Sequence, residues 1–85
     1  MASYSLQIKE SAARALARIQ KTDRVRLIDA IDRLRTEPSA GAVLKGEFAG
    51  LRRLRVGRYR VIYEVIATEL VVLVVRIGHR QDVYR

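Results

Sequence analysis

The chain has 85 residues, 49% of them hydrophobic and 31% charged, which suits one globular domain with one core and excludes a disordered chain. Its 17 Lys+Arg against 9 Asp+Glu leave a formal charge of +8, so nucleic acid, an anionic membrane surface or an acidic protein is the expected kind of partner. The absence of cysteine excludes disulfides and thiolate metal sites, and no apolar run approaches the roughly 20 residues of a membrane span. The opening "MASYSLQIKE" lacks the pattern of a secretory signal, and a soluble cytoplasmic protein without a metal or small-molecule cofactor is expected.

In "SYSLQIK", Tyr4, Leu6 and Ile8 alternate with Ser3, Ser5, Gln7 and Lys9, which predicts a strand with one buried face. Glu10–Gln20 changes to helical spacing, with Ala12, Leu16 and Ile19 inward and a basic stripe of Arg14, Arg18 and Lys21 outward. Thr22 or Asp23 can cap a second helix that runs to about Thr36. Leu27, Ile28, Ile31 and Leu34 point inward there, and Asp29 and Arg33 are spaced to pair. So short a link predicts an antiparallel helix hairpin. Pro38 ends the second helix, and "EPSAGAVLKGEFAG" reads as a loop. Leu51–Val56 forms the next strand, Gly57 turns, and Tyr59–Ile66 and Leu70–Ile77 follow as nearly continuous apolar strands suited to central positions. The order β-α-α-β-β-β predicts a single α+β domain over residues 1–85: a twisted, mainly antiparallel four-stranded sheet with the helix hairpin on one face.

The charge is uneven, with a net +3 over residues 1–44 and +5 over residues 45–85. "RRLRVGRYR", residues 52–60, holds five arginines and no acid. Residues two apart on a strand share a face, so Arg53 and Arg55 project together while Leu54 and Val56 point the other way. A tight turn would bring Arg60 near Arg55. Like charges on adjacent strands repel, so a merely solvated face explains five arginines poorly. A site that grips phosphate explains them, because guanidinium is permanently charged and binds phosphate oxygens bidentately. The tail "GHRQDVYR" adds His79, Arg80 and Tyr84. His79 can exchange protons near neutral pH, and Tyr84 can hydrogen-bond a ribose hydroxyl or stack on a base. The plainer alternatives are a loop histidine and a tyrosine that anchors the tail. One histidine and no cysteine cannot build a typical zinc site, and "KGEFAGLR" is no P-loop.

The segments "LKGEFAGLRRLRVGRYRVIYEV" and "VVLVVRIGHRQDVYR" resemble the RelE branch of the RelE/ParE toxins of type II toxin–antitoxin pairs. The resemblance spans essentially the whole chain. It implies a metal-independent mRNA interferase that cuts the codon in the ribosomal A site and is inhibited by an acidic antitoxin. Carried over by position, Arg53 and Arg55 match the two basic residues of the family's second strand, and Arg60 the arginine of its "YR" step. Arg80 matches the arginine after the last strand and Tyr84 the tyrosine near the C-terminus, while His79 falls where members carry lysine or histidine. Two departures stand out: arginines replace lysines on the second strand, and the sequence stops at Arg85, where some relatives add a helix.

Resemblance and chemistry together imply attack of a 2′-OH on the adjacent phosphorus. Arg53, Arg60 and Arg80 are then expected on the non-bridging oxygens, Arg55 on the phosphate or leaving oxygen, Tyr84 on the 2′-OH or a base, and His79 in proton transfer. Arg52, Arg58 and Lys45 are expected to bind RNA, both messenger and ribosomal. Two alternatives remain open at this point: a ParE-like inhibitor of DNA gyrase, and a non-catalytic RNA-binding or interaction module.

Overall fold

The structure, a computed structural model, describes residues 3–79. Its elements are β1 (Ser5–Ile8), α1 (Glu10–Ala17), α2 (Lys21–Arg33), β2 (Ala42–Val43), β3 (Arg52–Val56), β4 (Tyr59–Ile66) and β5 (Val71–His79). Single 3₁₀ turns at Pro38–Ala40 and Gly46–Phe48 flank β2. The sheet runs β1-β5-β4-β3-β2. β1 lies parallel to β5, and the other pairs are antiparallel. The two most apolar strands, β4 and β5, are therefore interior, each paired with a neighbouring strand along both edges.

Both helices cover one face. α1 lies against β5 and α2 against β3. Ala12, Leu27, Ile31 and Leu34 meet Val61, Tyr63, Val72, Val74 and Ile77 in one core cluster, with Tyr4, Leu6 and Ile8 packed at its edge. Each fully buried aliphatic side chain contributes about 1.5–3 kcal/mol over its exposed state. That core sets the register of the strands, since a one-residue slip would turn its members into water.

Five features differ from expectation. The sheet has five strands among the described residues, not four: the expected loop contains β2, paired through Ala42↔Arg53 and Val43↔Arg52. α1 stops at Ala17 because its last turn tightens, with Arg18 N–H bonding Ala15 O and Ile19 N–H bonding Leu16 O. The Arg24 guanidinium then donates to Ala17 O and Ile19 O, satisfying carbonyls left over at a helix end. α2 begins at Lys21 and carries no side-chain cap, so Thr22 and Asp23 lie inside its first turn. Ile28 is 48% exposed, because the inward stripe is centred on Leu27, Ile31 and Leu34 and leaves its neighbour on the flank. The expected Asp29–Arg33 pair is not among the ion pairs of the described residues, which join Glu10 to Arg14 and Asp32 to Arg35.

Two backbone details position the other sheet face. The β3–β4 hairpin closes with Val56 opposite Tyr59, leaving Gly57 and Arg58 as a two-residue turn. Gly57 has φ 59° and Arg58 is not left-handed, the pattern of a turn whose first central residue must be glycine. In β5 the pairing jumps from Ile62↔Arg76 to Tyr63↔Val74, so Val75 is an extra residue in a β-bulge.

Candidate functional site

Residues directly opposite one another on neighbouring strands share a face. Leu54 and Val56 of β3 pair with Val61 and Tyr59 of β4 and pack against the helix-side core. Arg53 pairs with Ile62 and Arg55 with Arg60, which puts Arg53, Arg55 and Arg60 together on the face away from the helices. The alternation read from the sequence is thus the alternation in the structure. Arg60 is 8% exposed, and its Nη1 donates to Tyr59 O at 3.3 Å. A guanidinium so enclosed is held in place rather than sweeping through water.

β5 adds to this face. Ile62 pairs with Arg76 on its other side, and Arg60 pairs with Gly78. One row across the sheet therefore reads Arg53, Ile62, Arg76, and the next reads Arg55, Arg60, Gly78. Ile62 is fully buried although it lies outside the helix-side core, so it lies covered beneath the arginine face and is not part of its accessible surface. Glu64, one row further, pairs with Leu73 and borders the patch on the side away from the hairpin. Nothing in the spacing of residues singled out Arg76. Strict alternation from Val72 and Val74 would have turned it toward the core; the bulge at Val75 turns it out.

The other expected site residues separate. His79 lies opposite Tyr59, and the two rings meet edge to face, with centroids 6.0 Å apart. Tyr59 packs against the helix-side core, so this imidazole is on the opposite side of the sheet end from Arg53, Arg55 and Arg60. Arg52 also lies on the helix side. Its Nη1 donates to Gly41 O at 2.8 Å and to Ser39 O at 3.4 Å, which anchors the loop before β2. Arg58 is exposed at the hairpin turn, and Lys45 is exposed between β2 and β3. Arg80 and Tyr84 lie outside the described residues.

A second residue that the sequence pattern did not mark is Tyr63. It is fully buried in β4. Its hydroxyl donates to Pro38 O at 2.8 Å and accepts from Gly41 N–H at 2.8 Å. Burial pushes the phenol above its ordinary value near 10, while the Gly41 amide and the Arg52 charge pull the other way. A Cβ on Gly41 would sit 2.7 Å from Arg53 O and 2.7 Å from the Tyr63 hydroxyl. Tyr63, Gly41 and Arg52 together press β2 onto the edge of β3 beside Arg53. β2 covers only Arg52 and Arg53, so the outer edge of β3 is open from Leu54 onward among the described residues. There Arg55 also borders a groove of about 430 Å³ that Arg26, Arg33, Leu34, Leu54 and Val56 line.

Among the described residues, no three His, Asp or Glu side chains are grouped to hold a metal ion, and no helix is long and apolar enough to cross a membrane. The arginine face can neutralise an anion and hold the backbone of a nucleic-acid strand.

A family model described as the ParE toxin of type II toxin-antitoxin system, parDE, matches residues 6–84. Toxin RelG of Mycobacterium tuberculosis is 30% identical over 84 residues, covering 96% of this chain and 97% of that protein. The toxin-antitoxin complex RelBE2 from Mycobacterium tuberculosis has a chain that superposes with a TM-score of 0.85 at 26% identity, covering 92% of this chain and 99% of that one. The isolated E. coli RelE toxin superposes with a TM-score of 0.79 at 26% identity, covering 96% of this chain and 92% of that one.

Proposed function

The chain belongs to the ParE toxin family of type II toxin–antitoxin systems, within the RelE/ParE superfamily, and from that premise we propose that it is an endoribonuclease that cuts mRNA in the ribosomal A site and so stops translation. The observation that carries this activity is the shared face of Arg53, Arg55 and Arg60, the arrangement expected of an enzyme whose main task is to stabilise an anionic phosphorane.

In the proposed reaction the 2′-oxygen attacks the adjacent phosphorus, its proton leaves to a base, and the bond from phosphorus to the 5′-oxygen breaks. The 5′-oxygen takes up a proton, leaving a 2′,3′-cyclic phosphate and a 5′-OH. Arg53 and Arg60 hold the non-bridging oxygens, and Arg55 steadies the phosphate or the leaving oxygen. A well-placed donor of this kind is worth about 3–4 kcal/mol in the transition state. The enclosure of Arg60 favours it, because a donor held in place does not have to reorganise during the reaction. Arg80 and Tyr84 keep the roles the resemblance gives them, on the phosphate and on the 2′-OH or a base. Arginine is a poor proton donor, so His79 is the titratable group assigned to proton transfer. Its side of the sheet end requires the RNA to wrap over that end. Lys45 and Arg58, both exposed, extend the positive surface toward messenger and ribosomal RNA. The RNA-binding role read for Arg52 would have to be exercised through the loop it anchors.

The inhibitor we propose is a cognate acidic antitoxin. Similar chains occur in toxin–antitoxin complexes from Mycobacterium tuberculosis and E. coli, and the charge of +8 suits an acidic segment that folds on binding. The matching family model is named for ParE, and the ParE branch of the resemblance makes poisoning of DNA gyrase the rival reading.

Induced expression without antitoxin, followed by 5′-end mapping of transcripts, separates the two. Codon-phased cuts within translated mRNA that disappear in Arg60→Ala support the nuclease. Intact mRNA with a DNA-damage response overturns it in favour of gyrase. The cleavage rate of His79→Gln on programmed ribosomes tests the proton-transfer role, since a fall of about 10²–10⁴-fold is the result expected of losing a general acid or base, and an unchanged rate overturns that role.

A further inference from the structure

Arg76 is the one arginine of this face that neither the spacing of residues nor the family resemblance singles out. It stands on β5, across Ile62 from Arg53, and diagonal to Arg60. Neighbouring strands are about 4.8 Å apart, so the Arg53 and Arg76 backbones are about 10 Å apart. Long arginine side chains can span that gap onto one phosphate or spread over two successive phosphates of one strand; with Arg53, Arg55 and Arg60 already assigned to the scissile phosphate, the second suits Arg76, on the far side of Ile62 from Arg53. The bulge at Val75 aims Arg76 here; a regular strand through the same residues would point it into the core with Val72 and Val74. Gly78, beside Arg60 in the next row, contributes no side chain to the corner between Arg60 and Arg76. Bulges next to active sites commonly re-aim a side chain.

We propose that Arg76 is a further substrate-binding residue that grips the phosphate next to the scissile one, so that the RNA crosses the sheet from β3 toward β5, transverse to the strands. This rests on the nuclease reading of the arginine face. Glu64 closes one side of the track by repelling phosphate, and the Arg53–Ile62–Arg76 row forms its bed. The RNA direction is thereby set by the sheet rather than by a loop.

A competing structural role exists, because the Arg76 stem is placed to help cover Ile62, and long basic side chains do bury their stems. Arg76→Met keeps an apolar stem and removes the charge, and Arg76→Lys restores the charge. The probe is a ribosome programmed with mRNA whose A-site codon carries 2′-O-methyl groups for binding, and the unmodified mRNA for cleavage. For Arg76→Met we expect about tenfold weaker binding, with the saturated cleavage rate falling less than threefold. The slope of log affinity against log salt should become shallower by about 0.7, the value of one phosphate contact on a single strand. Arg76→Lys should recover the slope. An unchanged slope in Arg76→Met, with thermal stability retained, overturns the assignment and leaves the nuclease reading standing. A fall in melting temperature in Arg76→Met with an unchanged slope also overturns it, in favour of the structural role. Failure of the wild-type protein to bind or cut the programmed ribosome overturns the nuclease reading itself, and this assignment with it.

Discussion

Replacing Tyr63 with phenylalanine removes one oxygen from the centre of the molecule and leaves the ring packing in place. The lost atom donates to Pro38 O and accepts from Gly41 N–H, both at 2.8 Å. Each neutral hydrogen bond is worth about 1 kcal/mol net, and a buried donor left without a partner costs about 1–3 kcal/mol. Pro38 is half-buried and can turn to water, whereas Gly41 is buried. The expected loss is therefore about 2 kcal/mol, or a melting temperature lower by roughly 8–16 °C for a domain of this size. Urea unfolding at neutral pH measures it. The pH dependence gives a second handle. The buried phenol titrates above its ordinary value near 10, so above that pH the unfolded chain has lost a proton that the folded chain keeps, and stability falls as pH rises through the folded value. The contribution is fully present below pH 10. The Tyr63→Phe variant has no such proton at this position, so the gap between wild type and variant should narrow in alkali. A loss under about 0.5 kcal/mol at neutral pH, with a gap unchanged in alkali, would refute the reasoning.

Gly41→Ala places a methyl group 2.7 Å from both Arg53 O and the Tyr63 hydroxyl; it should lose about 1–3 kcal/mol by overpacking, measured by urea unfolding. Arg55→Thr removes a like-charge opposition to Arg60 and should raise stability by about 0.5 kcal/mol, while slowing mRNA cleavage on programmed ribosomes by at least on the order of tenfold. Leu70 is exposed and adopts a left-handed φ of 55° in the β4–β5 turn. Leu70→Asn should therefore raise the stability read in thermal melts by up to about 1 kcal/mol.

What could be read in the chain were the features with local causes. Leu54 and Val56 against Arg53 and Arg55 is simple alternation, and Gly57 forces the turn that sets Arg55 beside Arg60. The apolar runs of β4 and β5 announce interior strands. Interactions between distant residues and backbone atoms were not legible. Arg52 looked like one more phosphate ligand because its partners are loop carbonyls, which no side-chain pattern encodes. Tyr63 reaches Pro38, 25 positions away. β2 is only two residues long and exists because that tyrosine and Arg52 draw the loop onto the sheet. The side of the sheet that His79 takes and the outward turn of Arg76 were hidden by the same event, a bulge that breaks the period-2 rule midway along β5.

The extra residue at position 75 also governs how this strand can change over time. Downstream of it, Ile77 faces inward and Arg76 outward. A lineage that dropped Val75 would straighten the strand and keep both orientations, so a one-residue gap there is neutral in parity. A gap or insertion elsewhere along the same strand would swap core for surface over half its length. Matching relatives by counting from one end of β5 will therefore pair inward residues with outward ones unless position 75 is allowed to float.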